Sequence, residues 1–291
     1  MIKALCPVPA GLISTLEERL CELAPGDWFL QVNRLTGKGS LEGYFETEQE
    51  ALEAWPGLAD LFADPEPPLV FSEVRDRDWK EAYKDHFQPW NLGSLHWVPE
   101  WERDQYEVPA GHKALFLDPG MAFGTGLHET TRLCLGAMME FADKHDVEDK
   151  CCIDAGCGSG ILALSAKLLG FGKVQGFDVD PAAIRISIEN AEANDLDGVT
   201  SFRVDDLDGG MQAESTDLLL ANIQADVLCA SALPLLCVLR PGGMLALSGI
   251  LTREAMQTTE VFRQRARKAD RQISLRRKDA GDWSLLTIER G

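Results

Sequence analysis

From residue 110 onward the chain alternates apolar runs with amphipathic stretches, and this rhythm limits the fold more than any other feature. KCCID, KVQGFDVD, TSFRV, DLLLANI and MLALSGI read as strands, while ILALSAKLLG, PAAIRISIENAEAN and QADVLCASALPLLCVL carry helical spacing. Strands this continuously apolar are buried on both faces, so a parallel sheet covered by helices is expected. A further helix is expected over about 252–268. Beyond it, RQISLRRKD and DWSLLTIER flank Ala280-Gly281, a hairpin signature. The predicted fold class is α/β: a Rossmann-like parallel sheet finished by a C-terminal β-hairpin.

The front of the chain has a different pattern. Helical spacing over 12–23 precedes the strand-like DWFLQVNRL and GYFET, then the helical EQEALEAW, then LVFSEV after Pro65-Glu66-Pro67-Pro68. With a first strand at 2–6, the order is that of a small α+β, ferredoxin-like domain over residues 1–74. Residues 75–109 hold Trp79, Trp90, Trp97 and Trp101 among charges and three prolines. Tryptophan is mostly buried, so a packed, irregular connector is expected, with the α/β domain occupying 110–291.

A net charge of −19 opposes non-specific nucleic-acid binding, which depends on Lys and Arg neutralising phosphates. Residues 1–100 alone carry 8 Lys/Arg against 18 Asp/Glu. That front is either a solvated acidic surface or a docking face for a basic partner. The run from Arg263 to Arg271 reads as a solvated helix face, with an RNA contact as the alternative. Eight cysteines form no CxxC pair and no zinc spacing, and no signal-peptide core or membrane-length apolar run occurs. Adjacent Cys151 and Cys152 fit a strand with one sulfur on each face. Reduced thiols in the cytoplasm are the expectation.

Two glycine clusters compete as the ligand site. In IDAGCGSGILALSAK, Gly156, Gly158 and Gly160 fall between a strand and a helix, where the backbone turns sharply and presents amides to a ligand. A nicotinamide fingerprint needs glycine at 161, which is Ile161; the spacing is GxGxG. The next strand ends in Asp178, twenty-two residues after Gly156, placed to accept both ribose hydroxyls of an adenosine. Together with the hairpin ending, this points to a class I S-adenosylmethionine site. Asp180 is expected to cap the helix starting at Pro181. Asp205-Asp206 are either adenine neighbours or a loop acid pair.

The fourth strand ends in Asn222, followed by Ile223-Gln224, without the prolines and aromatic that accompany base amines. This favours a flexible aliphatic amine as methyl acceptor. Asn222 is no base, but its carbonyl oxygen can accept an amine N–H and aim the lone pair. Alignment of this kind contributes up to roughly 7–11 kcal/mol. The other cluster, DPGMAFGTGLHETT at 118–131, contains His128-Glu129. An HExxH zinc motif would need histidine at 132, which is Arg132. His128 is either a proton acceptor or a structural loop residue.

LDPGMAFGTGLHETTRL, IDAGCGSGILALSAKLLG, GFDVDP, LLLANIQA and RPGGMLALSGIL, in this order, closely resemble the bacterial PrmA family, as does the DWKEAYKDHFQPW…LHWVPEW segment. The resemblance covers about 75–291. It implies a ferredoxin-like substrate-recognition domain and a methyltransferase domain. The implied reaction transfers methyl groups to lysine ε-amines and an N-terminal α-amine of large-subunit ribosomal protein L11, before or outside full ribosome assembly. By matching motif, Thr131, Gly156, Asp178 and Asn222 contact the cofactor, and the loop at 118–131 covers its crevice. Where many members read GTHPTT this chain reads GLHETT, so Leu127 and Glu129 depart from the pattern. The alternatives are another protein-lysine substrate, as in methyltransferases of the electron-transfer flavoprotein, or a non-catalytic S-adenosylmethionine-binding module. No membrane partner is expected.

Overall fold

The computed structural model describes residues 2–13, 15–16, 20, 28–33, 38–62, 69–73, 88–118, 128–207, 209 and 211–291. The chain divides into two compact units, Met1–Tyr83 and Lys84–Gly291. Of the expected connector, residues 75–87 lie outside the described residues, and 88–109 belong to the second unit.

The first unit contains β1 (Ile2–Val8), β2 (Trp28–Asn33), β3 (Lys38–Phe45), α1 (Glu48–Ala54), α2 (Pro56–Ala59) and β4 (Val70–Glu73). The strands run β2-β3-β1-β4, every neighbouring pair antiparallel. Period-2 alternation explains the burial. Ala4, Cys6 and Val8 of β1 turn to the same side as Leu41 and Phe45 of β3, and join Trp28, Trp55 and Leu58 in one core. Thr47 starts α1 by accepting the Glu50 amide at 3.2 Å. The helix expected over 12–23 lies largely outside the described residues, which show a 3-10 turn at Ala10–Leu12.

In the second unit, β5 (Trp90–Leu92), β6 (Leu95–Pro99) and β7 (Lys113–Leu117) form a three-stranded sheet where an irregular segment was expected. Trp90 stacks on Trp97 with ring centroids 4.2 Å apart. The Trp97 indole N–H donates to Ser165 Oγ at 2.8 Å, which satisfies the one polar atom of a fully buried ring. Trp97 is buried as anticipated and Trp90 is half-buried, but strand pairing supplies the order.

The main sheet follows the predicted rhythm. Its elements are α3 (Glu129–Lys144), β8 (Cys151–Ala155), α4 (Ile161–Leu169), β9 (Lys173–Asp178), α5 (Pro181–Ala193), β10 (Thr200–Val204) and β11 (Thr216–Asn222). They continue with α6 (Ala225–Ala230), α7 (Ala232–Val238), β12 (Leu239–Leu251), α8 (Ala255–Lys268), β13 (Ile273–Ala280) and β14 (Trp283–Arg290). The strand order is β10-β9-β8-β11-β12-β14-β13. The first five strands are parallel; the hairpin β13–β14 adds two antiparallel ones. Cys152 faces the core shared with α3 and α4, and Cys151 faces the one shared with α7 and α8. That is the expected one sulfur per face.

Two further features were not anticipated. α3 lacks a Ser, Thr, Asp or Asn cap, which hides its start, although Leu133, Met138 and Phe141 are buried along one stripe. The stretch expected as one helix over 224–239 breaks at Ser231, because Pro234 has no N–H to bond the Ala230 carbonyl.

Candidate functional site

In an open parallel sheet the crevice lies beyond the carboxyl ends of strands where the chain order reverses. Here β8 has β9 on one side and β11 on the other, so the reversal falls between β8 and β11. Ala155 and Ala221 pair at that edge, and the turns that follow both strands diverge around a cleft of about 740 Å³. That volume suits a nucleoside-sized ligand with room for a second group.

The glycine cluster forms one wall. Gly156 has φ +75°, and a Cβ there would sit 2.5 Å from Ile223 Cγ2, so a side chain would close the cleft against the opposite strand end. The Gly156 and Cys157 amides both bond the Phe177 carbonyl, which ties the turn to β9. Asp178 ends β9; its Oδ2 accepts the Gly158 amide at 3.0 Å and its Oδ1 the Asp180 amide at 3.0 Å. Fixed by these bonds, the carboxylate lines the cleft with lone pairs remaining for ligand hydroxyls. Asp180 caps α5 through a 2.8 Å bond from the Ala182 amide, as its position before Pro181 foretold. Asp205 and Asp206 also line the cleft, next to Leu207 and Val179.

Asp154, the acid that opens the glycine motif, is fully buried. Its Oδ2 accepts the Ala163 amide at 3.0 Å, while Oδ1 has no hydrogen-bond partner among the described residues. Burial pushes its carboxyl up to about 7; the Ala163 bond opposes the rise and the negative Asp178 adds to it. Burial also pushes the Cys157 thiol, on the cleft wall, far above its ordinary value, so it is an unreactive neutral group.

The opposite wall comes from the start of α3 and the end of β11. His128 is the N-cap of α3: its Nδ1 accepts the Thr130 amide at 3.4 Å and lies 2.8 Å from Thr130 Oγ1. The capping bond occupies the Nδ1 lone pair, which in the neutral ring places the proton on Nε2. This geometry favours a capping and wall role over that of proton acceptor. Thr131 is buried at the cleft edge, and its hydroxyl receives the Asn222 Nδ2 at 3.3 Å. With its NH₂ placed on Thr131, Asn222 lines the cleft from the end of β11.

The structure thus brings Thr131, Gly156, Gly158, Asp178, Asn222 and His128 to one cleft. Gly160, with φ +80°, shapes the turn behind the cleft and packs on Ser187. The part of the other glycine-rich stretch over 119–127, including Leu127, lies outside the described residues. Sequence reading missed Trp283, which packs edge-on to His128 with centroids 4.8 Å apart and lines the same cleft. Only the pairing Leu251↔Trp283 brings this residue of the C-terminal hairpin to the site. A bulge in β12 helps: Gly249 has φ +77°, and a Cβ there would overlap the Ile223 carbonyl.

These residues fit S-adenosylmethionine. Asp178 suits ribose hydroxyls, Phe177, Val179 and Leu207 offer apolar surface to a base, and the acidic surroundings suit a cation. Among the described residues no group of three His, Cys, Asp or Glu side chains is placed to hold a metal ion.

Comparison with known proteins gives the same assignment. The family model described as ribosomal protein L11 methyltransferase (PrmA) matches residues 11–290. A ribosomal protein L11 methyltransferase of Pseudomonas paraeruginosa is 38% identical over 235 residues, covering 78% of this chain and 75% of that protein. One from Hydrogenovibrio crunogenus is 38% identical over 248 residues, covering 84% and 79%. The crystal structure of a ribosomal protein L11 methylase from Lactobacillus delbrueckii subsp. bulgaricus superposes with a TM-score of 0.60 at 30% identity, covering 70% of this chain and 99% of that one. A methyl-donor cleft with an amide at its acceptor side, on a chain matched along nearly its whole length, leads to one conclusion: this protein belongs to the PrmA family of methyltransferases.

Proposed function

We propose that the protein methylates lysine ε-amines and the N-terminal α-amine of ribosomal protein L11. The observation that carries this reading is the Asn222 amide at the cleft wall, its Nδ2 3.3 Å from Thr131 Oγ1. When bound, S-adenosylmethionine supplies an electrophilic methyl group. Asp178 and the Gly156–Gly158 turn hold it, and the Asn222 oxygen accepts an N–H of the incoming neutral amine. A lysine amine ordinarily has a pKa near 10.4 and must lose a proton before it attacks. His128, held as a helix cap, and Trp283 form the wall beside it.

The first unit is read as the ferredoxin-like substrate-recognition domain; its β2-β3-β1-β4 antiparallel order supports this. The acidity of residues 1–100 suits a basic ribosomal protein met outside the assembled ribosome. A cytoplasmic location accords with the seven described cysteines, all free thiols. Among the described residues no helix is long and apolar enough to cross a membrane.

Purified protein, recombinant L11 and labelled S-adenosylmethionine provide the test, with mass spectrometry of the product. Methylated lysines and a methylated N-terminus on L11 are expected. Label appearing only on another protein in a bacterial lysate would reject L11 as the substrate.

A further inference from the structure

Two buried polar side chains of α5 take no part in the cleft wall, yet both bond the glycine turn from behind. Ser187 donates to the Gly158 carbonyl at 2.8 Å. Asn190, 3% exposed, donates through Nδ2 to the Ser159 carbonyl at 2.9 Å. The other end of the same amide accepts the Asp118 backbone N–H at 3.0 Å. The orientation of this amide is fixed by chemistry: a carbonyl on one side demands the NH₂, and an N–H on the other demands the oxygen.

Asp118 follows β7 directly, and the chain that leaves through it re-enters the described structure at His128 and Thr131, on the acceptor wall of the cleft. One turn further along, at the C-cap of α5, Asn194 grips β7 itself. Its Oδ1 accepts the Phe116 N–H at 2.8 Å and its Nδ2 donates to the Phe116 carbonyl at 2.6 Å. Residues 190 and 194 lie on one helix face, so α5 presents two amides to the same strand end. Only Asn190 also reaches the glycine turn. Sequence reading saw ENAEAN as a helix but had no means of knowing what its asparagines touch.

We propose that Asn190 is a positioning residue that couples cofactor binding at the glycine turn to the backbone at Asp118, where β7 ends. A ligand that fixes Ser159 and its neighbours fixes the Asn190 amide, and through it the backbone at Asp118. Coupling of this kind is a free energy shared by two sites and works in both directions. This rests on the reading of the glycine turn as the S-adenosylmethionine site.

Hydrogen exchange of the full-length protein, with and without saturating S-adenosylmethionine, tests the coupling. Calorimetry first establishes binding. In the wild type, exchange at the Asp118 amide should slow by roughly tenfold or more on binding, within the usual range of such couplings, together with slowing at Gly158–Gly160. Asn190→Leu should keep the change at the glycine turn and lose it at Asp118. Asn194→Leu, which releases β7 and the bond from Nδ2 to the Asn190 carbonyl but leaves the Asn190 side chain in place, should retain the ligand-dependent change. Asn190→Asp at pH 8 keeps the acceptor for Asp118 but, when ionised, loses the donor to Ser159, and it should uncouple the two as well. The wild-type measurement stands even if a variant folds poorly.

Binding that protects the glycine turn but leaves Asp118 unchanged in the wild type overturns the inference while the cofactor reading survives. Retained coupling in a folded Asn190→Leu or Asn190→Asp protein overturns it equally. Absence of any calorimetric binding overturns the cofactor reading and this inference with it. A steady-state readout separates positioning from mere structure: Asn190→Leu should lower kcat by roughly 10²-fold, the size of effect expected from a displaced acceptor wall. The KM for S-adenosylmethionine should move much less. An equal loss in both parameters counts against a positioning role.

Discussion

Asp154→Asn isolates the cost of keeping a carboxylic acid in a closed interior. The folded carboxyl holds its proton up to about 7, while the ordinary value is 3.8. Between these limits the folded state binds more protons than the unfolded one, so this group's contribution to stability falls as pH rises from about 4 to about 7. Between pH 5 and the folded value lie about two units at 1.36 kcal/mol each, roughly 3 kcal/mol. The asparagine carbonyl can keep the Ala163 amide bond, and its NH₂ occupies the place of the orphaned oxygen. Whatever that exchange costs is the same at every pH. Calorimetric unfolding of the ligand-free protein and the variant at pH 5 and pH 8 therefore reads the titration alone. Relative to wild type, the variant should gain roughly 3 kcal/mol between the two pH values, or about 6–12 °C in Tm for a unit of this size. A stability difference that stays constant from pH 5 to pH 8 would show that Asp154 is already ionised in the fold, and that burial does not dominate its titration.

Two further substitutions separate binding from transfer. Asn222→Ala removes the amine acceptor but none of the groups that hold Asp178, so turnover should fall by roughly 10²-fold while calorimetric affinity for S-adenosylmethionine is largely kept; a loss confined to affinity would assign Asn222 to cofactor binding alone. Asp178→Ala removes charge-assisted acceptors for ribose hydroxyls and the support of the Gly158 and Asp180 amides. It should weaken cofactor binding by roughly 10- to 100-fold, and unchanged affinity would move the ribose contact to Asp205 or Asp206.

Much of the second unit was legible because its constraints are local or periodic. Continuous apolar runs such as DLLLAN can only be interior strands, and Cys151 and Cys152 divide between two cores because successive strand residues face opposite ways. The glycine spacing and Asp178 marked the cofactor wall for a similar reason: a turn between strand and helix puts its backbone at the sheet's carboxyl edge. α3 escaped notice because its cap is a histidine, and β5 and β6 because strands of three and five residues built around tryptophans are too short to show an alternation.

By itself the sequence determined the parallel sheet, its closing hairpin, the glycine turn and several of the residues that line the cleft. Tertiary structure decided what those residues do with one another. Thr131 and Asn222, ninety-one positions apart, share a hydrogen bond that orients the amide. His128 caps a helix and leans on Trp283, and Asn190 joins two glycine-rich stretches that are separate in sequence. Periodicity fixes which face a residue shows, but which partner waits there depends on strand order and on how the helices close over the sheet.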